Sequence, residues 1–225
     1  MKISYKGFLR EKVKKEVVTI KPEASFYEAK MLIHDKGIRH LPVTDNKNRL
    51  VGIVTDRDIR EAGPSGATDL DIHEIHYLLS KLKVSSFMTP KEKLITITPE
   101  SVFEEAVELM HDHKIGCLPI VEEGKLYGII TETDILANFV EIFGLKQKGA
   151  RLTIALENEP DAMEGVFQIL KKHKARPISI LSPSFLVDGK RLLLLRLQPD
   201  DFERILDELK KEEIEVLSIG KWPSK

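Results

Sequence analysis

Gly52-Ile53-Val54-Thr55-Asp56-Arg57-Asp58 decides how this chain is read, because Gly128-Ile129-Ile130-Thr131-Glu132-Thr133-Asp134 restates it. Each copy follows a short apolar segment and leads into a helical pattern. Each therefore sets a hydroxyl and a carboxylate three residues apart at a strand-to-helix junction. One explanation is local. Thr-x-x-Asp is a capping pair, in which the threonine oxygen and the carboxylate each accept an amide hydrogen bond. Two copies add a second explanation. A helix amino end favours phosphate, a threonine hydroxyl can bond a phosphate oxygen, and a short carboxylate can accept from both hydroxyls of a ribose. The glycine permits close backbone approach. Together these features describe a modest nucleoside-phosphate site.

The duplication extends outward from both junctions. Val17-Val18-Thr19-Ile20 predicts a strand, with Pro22 after it. Ser25 and Glu28 form a capping box for a helix with Phe26, Ala29, Leu32 and Ile33 on its apolar stripe, ended by Gly37. Leu41-Pro42-Val43-Thr44 starts another strand, Asp45 to Arg49 is a hairpin turn, and Leu50 to Val54 returns to Thr55. Ile95-Thr96-Ile97 with Pro99 repeats the opening at an offset of 77. Val102, Ala106, Leu109 and Met110 give the second stripe, and Ile115 to Val121 answers Ile38 to Thr44 at the same offset. After the second hairpin the offset is 76. A turn absorbs a one-residue deletion, whereas a slip inside a strand would invert its faces. Two copies of this length suit an intramolecular pseudo-two-fold pair better than a solenoid. Each should fold as a small sheet covered by helices.

Between the copies lie Gly63-Pro64-Ser65-Gly66 and a helical pattern from Asp71 to Lys83, with Ile72, Ile75, Leu78, Leu79 and Leu82 at helical spacing. From residue 151 the pattern changes. Arg151 to Leu156 predicts a strand and Pro160 to Lys174 a helix with Met163, Val166, Phe167 and Leu170 on one side. Pro177 to Leu181 and Arg191 to Leu197 flank a turn at Asp188-Gly189; a helix around Phe202 to Leu209 and a strand from Ile214 to Ile219 follow. Strand, helix, strand, strand, helix, strand is the split βαβ order. Lys146-Gln147-Lys148-Gly149 has the composition of a linker. The expected division is 1–63, first repeat; 64–83, connecting loop and helix; 84–145, second repeat; and 150–220, the C-terminal domain.

Composition narrows the function classes. The chain has 225 residues, 42% apolar and 32% charged, with a formal net charge of -1. That balance fits a globular protein with no global attraction to nucleic acid or an anionic membrane. Residues 1–15 carry six basic side chains and one acidic, which fits a solvated leader better than a nucleic-acid arm. The run Leu192 to Leu195 is far too short to span a bilayer, and no apolar segment of signal-peptide type follows Lys2. A cytoplasmic location is expected. One cysteine, Cys117, excludes an intrachain disulfide and a Cys-rich zinc site. His73 and His76, or His111 and His113, lack a third ligand at metal spacing. No phosphate-binding glycine loop occurs, and Asp58 and Asp134 lack a partner acid. No catalytic residue, metal or catalytic cofactor is expected.

These features resemble two cystathionine-beta-synthase (CBS) repeats paired as a Bateman module. Ile38-Arg39-His40-Leu41-Pro42-Val43 with Gly52 to Asp58, and their second copies, carry the resemblance. Residues 151–220 resemble an ACT domain. The combination, with Ile59-Arg60-Glu61-Ala62-Gly63-Pro64-Ser65, resembles bacterial acetoin-utilisation regulatory proteins. The implied fold class is α+β, a Bateman module followed by a ferredoxin-like ACT domain. The implied function is a non-catalytic regulatory sensor of an adenosine-containing ligand: AMP, ADP, ATP or S-adenosylmethionine. By that resemblance Thr55 and Thr131 contact phosphate, and Asp58 and Asp134 the ribose. Thr19 and Thr96, with His40-Leu41-Pro42 and Cys117-Leu118-Pro119, line the base pocket. Arg39, His40 and Arg57 stand where the second copy has Gly116, Cys117 and Thr133, so the first half-site is expected to prefer the more phosphorylated ligand. ACT domains that bind amino acids usually have a glycine after the first strand. Glu157-Asn158-Glu159-Pro160-Asp161 has none, which points to a pairing role. A symmetric homodimer and a regulated protein partner are further expectations. The alternatives are an interaction module whose Thr-x-x-Asp pairs are only caps, and an enzyme with an unrecognised site.

Overall fold

The computed structural model describes residues 16–64 and 71–222. The leader reading of residues 1–15, and Ser65-Gly66 of the inter-repeat loop, lie outside the described residues. The chain divides into two compact units, Met1–Ile135 and Leu136–Lys225.

The first unit holds both repeats. Helix α1 (Phe26–Lys36) starts at the expected box, with Ser25 accepting from the Glu28 amide and Glu28 accepting in return from Ser25. It stops at Gly37, whose φ of 60° is left-handed, and buries Phe26, Ala29 and Ile33. Strands β1 (His40–Thr44) and β2 (Leu50–Thr55) form an antiparallel hairpin with His40 opposite Thr55. Asp45 fixes its turn by accepting from the Lys47 and Arg49 amides and the Arg49 guanidinium. Helix α2 (Asp56–Ala62) follows directly. Val17 to Ile20 does not make the predicted strand. A single parallel bridge joins Ile20 to Val43, as Ile97 joins Ile120. Pro22 and Pro99 supply no amide donor with which either pairing could be extended.

Between the repeats, α3 (Ile72–Lys81) is capped by Asp71. A one-turn helix α4 (Val84–Phe87) and a two-residue strand β3 (Thr89–Pro90) follow, then a 3-10 turn at Lys91–Lys93. β3 pairs with β2, Gly52 facing Pro90. Sequence periodicity has no purchase on a strand this short.

The second repeat has α5 (Phe103–His113), β4 (Cys117–Glu122), β5 (Lys125–Thr131) and the start of α6 (Glu132–Ile142), in which the unit boundary falls. Its apolar stripe is Phe103, Ala106 and Met110. Spacing predicts Val102 on this stripe, but it is the exposed N-cap, so the stripe starts one residue later. Lys114 takes the left-handed cap that Gly37 fills in the first repeat. The hairpin has Cys117 opposite Thr131, and its register slips between Ile120 and Val121, the equivalents of Val43 and Thr44. The two hairpin turns bond each other: Leu126 N–H donates to the Asn48 carbonyl at 3.0 Å and Asn48 Nδ2 to the Leu126 carbonyl at 3.1 Å.

The second unit contains β6 (Gly149–Leu156), α7 (Glu164–Lys172), β7 (Ser179–Leu181), β8 (Leu186–Val187), β9 (Lys190–Leu197), α8 (Pro199–Lys211) and β10 (Val216–Trp222). The antiparallel sheet runs β10-β6-β9-β7, with β8 hairpinned onto β9. This is the ferredoxin-like order of the split βαβ motif. Leu152, Ile154, Leu193 and Leu195 pack with Val166, Ile169 and Leu170 of α7 and Ile205, Leu206 and Leu209 of α8. Phe167 is 44% exposed, so the buried face of α7 lies to one side of the predicted stripe. Glu208 is buried on α8; a hydrogen bond from Lys172 holds its carboxyl below the usual range.

Candidate functional site

Both Thr-x-x-Asp pairs are real caps. The Thr55 amide and hydroxyl each donate to Asp58 Oδ2 at 2.7 Å, and the Asp58 amide donates to Thr55 Oγ1 at 3.2 Å. In the second repeat the same three bonds measure 3.0, 2.6 and 3.3 Å. In each pair Oδ2 accepts both bonds from the threonine. At Asp58 the cap engages Oδ2 and not Oδ1.

Two clefts in the first unit are built around these caps, and they are crosswise. One has a volume of about 620 Å³. It takes Ile53, Thr55, Arg57 and Asp58 from the first repeat, and Leu94, Ile95, Ile115, Gly116 and Cys117 from the second. The other, of about 220 Å³, takes Ile129, Thr131, Thr133 and Asp134 from the second repeat, and Val17, Val18, Ile38, Arg39 and His40 from the first. Residue by residue these are pseudo-two-fold equivalents. Matching backbone bonds hold them in place. Asp56 N–H donates to the Arg39 carbonyl at 3.0 Å and Glu132 N–H to the Gly116 carbonyl at 3.1 Å. Ile20 N–H and Ile97 N–H donate to the carbonyls of Pro42 and Pro119 at 3.0 and 3.1 Å. The prolines thus sit where a strand needs an acceptor.

The sequence-predicted residues do not all reach a cleft. Thr55, Arg57, Asp58, Arg39, His40, Cys117 and Pro119 line the larger one, and Thr131, Asp134, Arg39 and His40 the smaller. Leu41 and Leu118 have no solvent exposure and belong to the core. Pro42 is buried in β1 opposite Ile53. Thr19 lines a separate, shallow hollow with Lys21, Glu23 and Glu28. Thr96 is exposed and lines neither cleft. Sequence reasoning missed Val17, Val18, Leu94, Ile95, Ile38 and Ile115, apolar walls for a flat ring. It also missed Thr89, Lys93, Arg60 and Glu132 on the larger cleft. The repeat itself carried the signal for the apolar walls, since they are equivalent pairs flanking each bridge.

The glycine of the first motif has a packing role. A Cβ on Gly52 would come within 2.6 Å of Met88 Sδ and 2.8 Å of the Thr89 carbonyl oxygen. Gly52 therefore admits β3 rather than a ligand. Gly116 makes room for His40: a Cβ there would lie 3.1 Å from His40 Nε2. His40 lines both clefts. Burial first, and the charge of Arg39 second, hold its imidazole below the ordinary range, opposed by Glu132 and Asp58. Cys117, its equivalent, is buried, and desolvation with the Glu132 charge pushes its thiol up to about 12. Cys117 is therefore a protonated wall residue, unsuited to nucleophilic attack. Among the described residues no group of three or more His, Cys, Asp or Glu side chains could hold a metal ion. Likewise, no described helix is long and apolar enough to cross a membrane.

Comparison with known proteins agrees with this geometry. The sequence model of the CBS domain matches residues 9–65 and 84–141. The chain belongs to the CBS-domain family, with its two repeats paired as a Bateman module. Relatives by sequence include the inosine-5'-monophosphate dehydrogenase of Aquifex aeolicus (strain VF5), 37% identical over 134 residues, 56% of this chain and 24% of the relative. That of Staphylococcus epidermidis (strain ATCC 12228 / FDA PCI 1200) is 35% identical over 136 residues, 60% of this chain and 25% of the relative. The chain thus spans about a quarter of the length of these curated relatives. Among solved structures, a Vibrio cholerae protein described as an acetoin utilization protein (AcuB) is 27% identical. Its TM-score is 0.51, over 61% of this chain and 93% of that one. The structure of CBSX2 in complex with AMP is 25% identical with a TM-score of 0.50, over 60% of this chain and 98% of that one.

Proposed function

We propose that this chain is a regulatory sensor that binds an adenosine-containing ligand, AMP, ADP, ATP or S-adenosylmethionine, between its two repeats. The observation that carries this reading is the pair of equivalent clefts. Each joins a Thr-Asp cap from one repeat to apolar residues at the strand bridge of the other. The apolar pairs Val17-Val18 and Leu94-Ile95 suit the faces of a purine. Asp58 offers its Oδ1, outside the cap, to ribose hydroxyls, Asp134 stands at the equivalent place, and Thr55 and Thr131 lie beside them for phosphate. CBSX2, similar over this region, is a complex with AMP. A ligand spanning a cleft touches both repeats, so its binding energy can bias their relative arrangement; two such states are what an allosteric role requires. Calorimetric titration with AMP tests the reading. Binding is expected in the wild type, with one site lost in Thr55→Ala with Asp58→Ala and the other in Thr131→Ala with Asp134→Ala, each at unchanged circular dichroism. If no adenosine compound binds at millimolar concentration, the caps are structural and the interaction-module reading replaces this one.

The second unit favours a pairing role. Its edge strand β10 exposes Leu217 and Ile219, and the opposite edge β7 exposes Ile180 and Leu181. Apolar sheet edges invite pairing with another chain, and a two-fold homodimer is the simplest closed solution. Light scattering that returned a monomer would remove that reading.

A further inference from the structure

The geometry points to the Thr55 cleft as the site for a nucleoside polyphosphate, with Lys93 as the residue that sets this preference and Glu16 as its charge-reversed counterpart in the Thr131 cleft. The inference rests on the reading of the clefts as adenosine sites and adds which ligand each takes. Positions 16 and 93 are equivalent, 77 residues apart in the repeat that also relates Val17 to Leu94. Each lines one cleft, Lys93 the larger and Glu16 the smaller. A two-fold pair of sites thus carries opposite charges at the same place.

Arg57 is a weaker determinant than the sequence suggested. It is 80% exposed and pairs with Glu61 at 3.4 Å, while Arg60 pairs with Asp56 at 3.0 Å. Lys93 and Arg39 have no acidic partner within ion-pair distance among the described residues. Their charge is not already committed to a carboxylate. Lys93 reaches the cleft because β3 pairs with Gly52 and Ile53 of β2, which delivers the 3-10 turn Lys91–Lys93 to the cleft wall. That pairing needs the missing Cβ of Gly52. The volume difference points the same way, since a triphosphate needs more room than a monophosphate. The described lining of the smaller cleft has one cation, Arg39, against Glu16 and Asp134. It suits a short or uncharged tail.

The test is calorimetry on the full chain with adenosine, AMP, ADP and ATP at fixed ionic strength. In the wild type one class of site should bind ATP at least about tenfold more tightly than adenosine, with an affinity that falls as salt rises. Lys93→Glu should erase that ratio and leave adenosine affinity unchanged; Lys93→Arg should retain it. Glu16→Lys should give the second site a phosphate dependence. Both positions are exposed, and thermal melts confirm that each variant folds. A Lys93→Glu protein that still prefers ATP, or that loses adenosine in proportion, overturns the assignment of Lys93. Equal affinity of all four compounds at both sites overturns the charge assignment alone. Failure of all four to bind overturns the underlying reading of the clefts.

Discussion

The two repeats place the same backbone in the same register and furnish it differently. Where the structure must hold, the copies agree: Leu41 and Leu118 are both fully buried, and both caps use the same three bonds. Where a cleft is lined, they diverge: His40 against Cys117, Arg39 against Gly116, Arg57 against Thr133, Lys93 against Glu16. Duplication has kept the packing, the caps and the isoleucine walls, and released the charged part of the lining. A protein in which both sites did one job would have no physical reason to differ there.

The largest effect expected within this comparison is one of sameness. Leu41→Ala and Leu118→Ala should each destabilise the first unit by about 2–5 kcal/mol, the cost of a core cavity. Urea denaturation that found one nearly neutral would break the equivalence of the two cores. Next come the caps. Thr55→Ala and Thr131→Ala should cost about 0.5–2 kcal/mol each, similar to one another, while differing in which ligand they weaken. Unequal stability losses would show that one pair does more than cap.

A smaller difference lies at the ends of α1 and α5. Gly37 and Lys114 share a left-handed φ, of 60° and 54°. Lys114→Gly should stabilise by about 0.5 kcal/mol, the relief of that conformation less the flexibility glycine adds to the unfolded chain. Gly37→Ala should destabilise. A Lys114→Gly protein that melts lower would mean that the lysine side chain offsets its own backbone cost.

A last difference, absent near neutral pH, is a pH dependence split between equivalent positions. His40 is held below its ordinary value of 6.5, so the folded state disfavours its charged form. Its contribution to stability is present above that value and is lost as pH falls through it toward the folded value. Cys117 is raised from 9.0 to about 12, so its contribution is present below 9.0 and is lost as pH rises from there. Melting curves should show an acid limb softened in His40→Gln and an alkaline limb softened in Cys117→Ser. A variant that moved the opposite limb would refute the assignment. An anionic ligand beside His40 reverses the first sign, because it favours the imidazolium.

How much of this was legible depended on the range of the signal. Helix α1 could be read residue by residue, because Ser25, Glu28 and Gly37 each act within one turn. The hairpins followed from Leu41 to Val54 and its copy, since alternation and turn residues are local too. The ferredoxin-like order of the second unit was legible as a succession of elements. β3 was not, because two residues hold no period and only the space above Gly52 selects them. The crosswise clefts were not legible either. Thr19 and Thr96 stood in the right segments by sequence, yet the residues that turn inward there are Val17, Val18, Leu94 and Ile95. Which repeat faces which cap is a long-range fact with no local sign, although the offsets of 77 and 76 had already paired the right positions.

The bonds between Asn48 and Leu126 have one further consequence, for the chain as it is made. They join residues 78 apart, so although Asp45 closes the first hairpin turn locally, its bonds to the second repeat cannot form until that repeat has been synthesised. At about 5–20 residues per second the first repeat waits roughly 4–15 s for its mate. During that interval half of each cleft does not exist, and the apolar residues Val17, Val18 and Ile38 have nothing to enclose.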